Sequence, residues 1–526
     1  MAFRKKSSTE QDVFCLPLPL RCEPWQKDRL NDLFQQHNNV MNALIGKKSR
    51  QLKQLERTKA WRQNEQAIAD LRVVCKREKR KFNAEEKQII TQCFALRKQL
   101  ISDFGLSADT FEKNIKSIAK HYENVMSPVA QKLAARVARM FQDYFYGKGK
   151  KISFNPIDDL RDIEGKSNDC AICYSNGMVL IGCKANPLVI PVVFDQKDKY
   201  RYEEQALQRT VHYCKIIRTP GRHGWRYCVQ LTLGGKPPVK VHADTGEMLH
   251  PLGHGAVGND IGPQTLASVS DGHVKLTVLA ESIDDIHKKL RRVNRAIDRS
   301  RRATNPQMFD EEGKIVPIDR LPDQYKLGGR RLWKKSKRYQ ELLQYRRYLY
   351  HQQTIKKLLS HRTLANKLLS YGDRHYIEQM NWQALARRVK EDRTTDTGKH
   401  KSKARFGKSI ANRSPATFVK IYEKKVKDAG GTFSYLDTQK AKASQYNHTD
   451  HTYKPKKLSQ RWNDINGEKV QRDLYSAFLI QHTNETLDGF EQEGLEQDFN
   501  TFLILHNQEI NRLSITKNPS SMGIKA

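Results

Sequence analysis

One pentapeptide, Gly258-Asn259-Asp260-Ile261-Gly262, constrains this chain more than any other stretch of it. Ala256 and Val257 lead into Asp260, and after a Gly-Pro turn Thr265-Leu266-Ala267-Ser268-Val269-Ser270 forms a second apolar run. Asp271-Gly272 is the next turn signal, and His273 to Leu279 then alternates toward apolar positions. Short runs separated by tight glycine turns predict a three-strand meander, with Asp260 at the end of its first strand. A carboxylate placed there, with glycines giving the backbone close access, can present one oxygen ligand to Mg²⁺, although the same residues also suit a plain turn.

Two later segments narrow the choice. Arg374-His375-Tyr376-Ile377-Glu378 reads as a short strand ending in a second carboxylate, and Gln471-Arg472-Asp473-Leu474-Tyr475-Ser476-Ala477 opens a helix carrying a third. In this order the three segments resemble the split RuvC-type nuclease core of the TnpB family and its descendants, the type V CRISPR effectors. The first motif, G-x-D-x-G followed by a strand with T-L-A, is matched by Gly258, Asp260, Gly262 and Thr265-Leu266-Ala267. The second, a Glu closing a strand with Asn soon after, is matched by Glu378 and Asn381. The third, R-D-x-N-A-A, is matched by Arg472, Asp473 and Ala477, with Tyr475 where Asn is usual. The motifs cover the chain from Val257 to about His482; the N-terminal half is similar in layout only.

The resemblance implies an RNA-guided endonuclease whose partners are a guide RNA and target double-stranded DNA. Phosphodiester hydrolysis needs an activated water, a stabilised leaving oxygen and neutralised charge, which two Mg²⁺ ions about 3.5–4 Å apart supply, with Mn²⁺ as the alternative ion. Asp260, Glu378 and Asp473 are the expected metal ligands, and Arg472 is expected to meet the scissile phosphate or hold a carboxylate. Two other readings use the same residues differently: an RNA-guided DNA-binding protein that does not cut, and a resolvase or transposase that needs no RNA. A transposon-end RNA and a CRISPR RNA fit the sequence equally.

Composition agrees with a nucleic-acid partner. Lysine and arginine number 94 against 58 acidic residues, a net charge of +36 over 526 residues. An excess of that size, spread along the chain, calls for a polyanion. The length predicts two or more lobes with separate cores. Nine cysteines without regular spacing, and no apolar N-terminal run, predict a reducing cytoplasm, and no stretch of about 18 apolar residues is present to span a membrane. Cys170 and Cys173 form the one C-x-x-C pair, better suited to buried strand positions than to zinc.

Taken in order, residues 1–8 are a polar, basic start predicted to be disordered. Val13, Cys15, Leu18 and Leu20 predict a strand, and from Trp25 the period becomes helical through Leu30, Leu33, Phe34, Val40, Met41, Leu44 and Ile45. Helices are expected to about Gly147, then strands, with Ser175-Asn176-Gly177 as a hairpin turn. Ile283, Ile286, Leu290, Val293 and Ile297 form an a/d seam, and a long helix is expected from about Arg331 to Leu369, the two packing as an antiparallel hairpin. Its outward basic residues, among them Lys288, Arg292, Arg295, Lys334, Lys337 and Arg338, are expected to contact a nucleic-acid backbone.

Residues 437–470 depart from the family. Many relatives carry two C-x-x-C pairs there, whereas this chain has no cysteine in the interval and only His448 and His451 as softer ligands, so structural zinc is not expected. Gln445, Arg461 and Trp462 are the candidate nucleic-acid contacts of this stretch. The expected organisation is α+β and multidomain: a split RuvC (RNase H-like) nuclease domain beside a small β-barrel wedge domain with a helical recognition insertion. Its divisions are a first wedge strand (1–22), the recognition helices (23–147), the wedge barrel (148–250) and the nuclease (251–436). A mobile segment at 383–412 is expected over the site. A degenerate zinc-ribbon-like insertion (437–470), the third acidic motif (471–484) and a C-terminal helix and tail (485–526) complete the chain.

Overall fold

A computed structural model of the chain describes residues 12–78, 80–149, 151–183, 185–198, 200–242, 244–387, 406–457, 459–516 and 522–524. The start at 1–8, positions 388–405 of the expected mobile segment, and 517–521 of the expected tail lie outside the described residues. The chain divides into two compact units, Met1–Thr245 and Gly246–Ala526. Among the described residues no helix is long and apolar enough to cross a membrane.

In the first unit, strand β1 (Val13–Pro19) is followed by helices α1 (Pro24–Arg57), α2 (Lys59–Arg77), α3 (Ala84–Asp103), α4 (Ala108–Ala119) and α5 (Ser127–Phe145). Strands β2 (Asp162–Glu164), β3 (Ile172–Ser175), β4 (Met178–Ile181) and β5 (Leu188–Pro191) come next, then a short helix α6 (Tyr202–Leu207) and the long hairpin β6 (Val211–Pro220) and β7 (Trp225–Gly234). Two sheets form, ordered β1-β7-β6-β2 and β3-β4-β5, linked by a bridge between Leu20 and Val192. The helices α1–α5 thus intervene between two strands that share a sheet.

The apolar side of β1 differs from the expected one. Phe14, Leu16 and Leu18 are buried, whereas Val13 and Cys15 are exposed. Register is the reason: Phe14, Leu16 and Leu18 stand opposite Leu233, Leu231 and Val229, all buried, and a strand exposes alternate residues. On α1 every apolar residue anticipated from Leu30 to Ile45 is buried.

The second unit is built on a five-stranded sheet. Strands β8 (Ala256–Ile261), β9 (Thr265–Ser270) and β10 (His273–Val278) form the antiparallel meander, while β11 (Arg374–Glu378) and β12 (Thr432–Leu436) add parallel to β8, giving the order β10-β9-β8-β11-β12. Between β10 and β11 run α7 (Asp284–Thr304) and α8 (Lys337–Leu369), whose apolar seam joins Ile286, Leu290, Val293 and Ile297 to Leu342 and Leu349. α8 starts six residues later than expected. The Ser336 side chain accepts from the Tyr339 N–H and caps it there, and the preceding Lys326–Leu327 and Arg330–Arg331 pair as a small ladder.

Helix α9 (Pro415–Asp428) leads into β12. The strands β13 (Trp462–Ile465) and β14 (Glu468–Gln471) then deliver α10 (Arg472–Gln481), and α11 (Gln492–Ser514) follows. The sheet separates two cores. On one face Val257, Ile261, Leu266 and Ile377 pack with Phe418 and Tyr422; on the other Ala267, Val269 and Leu276 pack with Tyr475, Phe478 and Phe502. The sequence named no partner for α11, and the structure supplies one: Phe502 stacks on Phe478 of α10 with ring centroids 4.5 Å apart. The buried Glu509 also accepts the edge-strand N–H of Leu276 at 3.0 Å.

α10 crosses β8 at backbone contact. A Cβ on Gly258 would lie 2.1 Å from the Ala477 carbonyl oxygen and 2.2 Å from the Gln481 nitrogen, so no side chain fits between strand and helix. Gly258→Ala is therefore expected to destabilise the second unit by about 2–4 kcal/mol, lowering its Tm by about 5–10 °C. Gly272→Ala, whose added Cβ meets nothing within 4 Å, is expected to stay within about 0.5 kcal/mol of the parent in the same thermal melts. Equal behaviour of the two variants would contradict this packing.

Candidate active site

Strand periodicity decides which way the acidic residues face. Gly258 abuts α10, so Asp260, two residues on, lies on that same face of β8. β11 runs parallel beside it with Ile377 opposite Asn259, and the next step along the pair brings Glu378 alongside Asp260. Because Ile377 packs in the opposite core, Glu378 shares the α10 face. Asp473 occupies the first turn of α10, one turn before Ala477, and so comes over the same end of the two parallel strands.

The charges register this convergence. Asp260 is held well above the ordinary carboxylate range, chiefly by withdrawal from water and then by the negative charges of Glu378 and Asp473, with Arg472 opposing. Burial pushes Glu378 up to about 7. Asp473 is engaged differently. Its Oδ1 accepts from Arg472 Nε at 3.1 Å and Nη2 at 2.9 Å, and Arg461 Nη1 stands 4.0 Å from its Oδ2. Arg472 is itself anchored, donating through Nη1 to the Gln460 carbonyl and through its backbone N–H to the Arg461 carbonyl.

Among the described residues, no three His, Cys, Asp or Glu side chains close around one point as a finished metal cage. The donor chemistry nevertheless suits a hard divalent cation: carboxylate oxygens only, on two adjacent strand ends and a helix start, with mutual repulsion that a cation would relieve. Asp260 and Glu378 could hold such an ion, and Asp473 could join once its arginine contacts loosen.

The other candidates lie on other elements. Lys288, Arg292, Arg295, Lys334, Lys337 and Arg338 are exposed along the α7–α8 hairpin, Lys288 facing Asp285 and Arg338 facing Glu341. Gln445 is half-buried. Trp462 gives its indole N–H to the Gly523 carbonyl and meets His506 edge-on, which commits its polar atom within the unit. Arg461, a candidate nucleic-acid contact, stands beside Asp473.

The departure at Tyr475 has a structural reason. The side chain is fully buried, and its hydroxyl meets both the N–H and Nδ1 of His448, at 3.1 and 2.7 Å. His451 likewise lies 3.3 Å from the Tyr446 hydroxyl. Both histidines of the loop are thus occupied by tyrosines. Gln471 had no assigned role in the sequence, yet it is fully buried and caps α10 through the Leu474 N–H. Its signal was weak because glutamine is not a favoured N-cap.

No protein-family model matches this chain, and neither does any curated protein. Among solved structures, the cryo-EM structure of a Cas12f1-sgRNA-target DNA complex is similar at 10% identity and a TM-score of 0.40, covering 91% of this chain and 99% of that one. A cryo-EM structure of a CRISPR-Cas12f ternary complex is similar at 11% identity and a TM-score of 0.27, covering 88% of this chain and 82% of that one.

The carboxylate pair carries a stability cost whose pH dependence has a definite sign. Unfolded, Glu378 ionises near its ordinary 4.5; folded, it keeps its proton to about 7. Between those values the folded state binds more protons, so this group's contribution to stability falls as pH rises and is lowest above pH 7. In chelator, Glu378→Gln should raise the Tm at pH 8 by a few degrees and leave it unchanged at pH 4. A lower Tm at pH 8, or a shift independent of pH, would contradict the placement of Glu378.

Proposed function

We propose that this chain is an RNA-guided DNA endonuclease that hydrolyses phosphodiester bonds at a single RuvC-type site. What supports the reading is geometry: parallel register sets Glu378 alongside Asp260 at the end of two strands, and Asp473 stands in the first turn of the helix packed on Gly258. The order β10-β9-β8-β11-β12, three antiparallel strands extended by two parallel ones, supports an RNase H-like domain. Guide RNA and target DNA are the partners proposed, supported by the net charge of +36 and the exposed basic hairpin. The wedge and recognition assignments of the first unit belong to the same proposal.

Two Mg²⁺ ions, when bound, would supply the activated water and the charge neutralisation that hydrolysis needs. The chain's own part is to fix the carboxylates on rigid elements. Asp260 and Glu378 are set by strand register, and Asp473 by the helix packed on Gly258. Arg472, anchored at Gln460, and Arg461 place two guanidinium groups at the same edge, where they can meet a phosphate. Base pairing would read the sequence while the protein reads backbone and shape, which suits basic residues distributed along the chain.

The test is Mg²⁺-dependent cleavage by the full chain purified with its co-expressed RNA. Asp260→Ala is expected to lower cleavage by about 10³-fold or more while RNA and DNA binding stay within about twofold. Undiminished cutting by that variant would refute the assignment. Binding without cleavage by the parent protein would favour the non-cutting reading.

A further inference from the structure

Gln471 precedes the Arg472-Asp473 pair and makes three hydrogen bonds from a fully buried position. Its backbone N–H donates to His506 Nε2 on α11 at 3.0 Å, its Oε1 accepts from the Leu474 N–H at 2.8 Å, and its Nε2 donates to the Met522 carbonyl at 3.1 Å. Glutamine is a poor N-cap by itself, because its long side chain must be immobilised to hold a helix start. Met522 supplies the second anchor.

The neighbouring residue is fitted as closely. Gly523 has φ +72°, and a Cβ there would lie 2.3 Å from Arg461 Cβ and 2.7 Å from Arg461 Cγ. Its carbonyl accepts the Trp462 indole N–H at 3.0 Å. Met522 is fully buried and Ile524 nearly so, within the core that holds α10. Residues 522–524 therefore touch, in one place, the cap of the acidic helix and the stem of the arginine that faces Asp473.

We propose that residues 522–524 are a positioning clasp for Asp473: they lock the Gln471 cap and the Arg461 stem, and so fix where this carboxylate stands relative to Asp260. Gln471, Met522 and Gly523 act as positioning residues, through other groups and without touching substrate. The functional consequence rests on the nuclease reading above; the structural one does not.

The experiment compares the parent with three variants of the full protein: a chain ending at Thr516, Gly523→Val, and Met522→Leu, which keeps the carbonyl that Gln471 uses. Amide hydrogen exchange at Leu474, Mn²⁺ affinity without nucleic acid, thermal melting and cleavage kinetics are measured. The shortened chain and Gly523→Val are expected to exchange the Leu474 amide about tenfold faster or more and to bind Mn²⁺ about tenfold more weakly. Their cleavage rate should fall with nucleic-acid affinity within about twofold, and the Tm should fall by a few degrees as Met522 and Ile524 leave the core or Gly523 is strained. Met522→Leu is expected to match the parent throughout. Unchanged Leu474 exchange in the shortened chain would overturn the clasp. Equal acceleration of all core amides of the second unit would also overturn it, by making the segment a general part of the core. A parent protein that neither binds Mn²⁺ nor cleaves would sink the nuclease reading alone, because Leu474 exchange would still decide the clasp.

Discussion

Everything at the candidate site depends on a helix and a strand meeting backbone to backbone. At Gly258 the peptide of β8 lies against the hydrogen-bonded turn formed by Ala477 and Gln481, a separation only a residue without a side chain allows. From that contact the rest follows by geometry. Two residues along the strand is Asp260, one turn back along the helix is Asp473, and parallel pairing with β11 adds Glu378. The flanking glycines of the opening pentapeptide are therefore distinct in function. Gly258 permits the approach of the helix, whereas Gly262 turns the chain into β9 through its N–H to the Thr265 carbonyl.

Clustered acids are unfavourable in a protein without a counter-ion. Desolvation and like charge both raise Asp260, and burial raises Glu378, so the folded protein without cation carries a penalty that a divalent ion would remove. Asp473 is paired with Arg472 beside Arg461. The arginines and a cation would compete for this one carboxylate. A phosphate that drew the arginines away would leave Asp473 free to turn inward.

Much of the second unit could be read from residue order. The glycine turns at Gly262 and Gly272 and the period of Ile286, Leu290, Val293 and Ile297 are local signals, and each marks an element the structure contains. The acidic residues were legible because each ends or starts such an element. What escaped was decided by distant partners. The buried face of β1 is an exception, because it was encoded locally by Phe14, Leu16 and Leu18 alternating with Cys15, Pro17 and Pro19, and β7 covers that face. Ser336 overrode a basic run that could have continued α8 upstream. Tyr475 looks like a lapse from a motif, yet its hydroxyl meets His448, and Arg461, just before β13, stands beside Asp473. The Gln471 hub joins α10, α11 and residues 522–524, a convergence without any local signature.

Anomalous diffraction from crystals of the full chain grown with Mn²⁺ bears most directly on the central claim, that these three acids form one cation site. The account predicts a manganese peak within about 2–2.5 Å of an Asp260 carboxylate oxygen, with Glu378 or Asp473 completing the coordination. Manganese bound elsewhere, with Asp260 bare at saturating concentration, would contradict it.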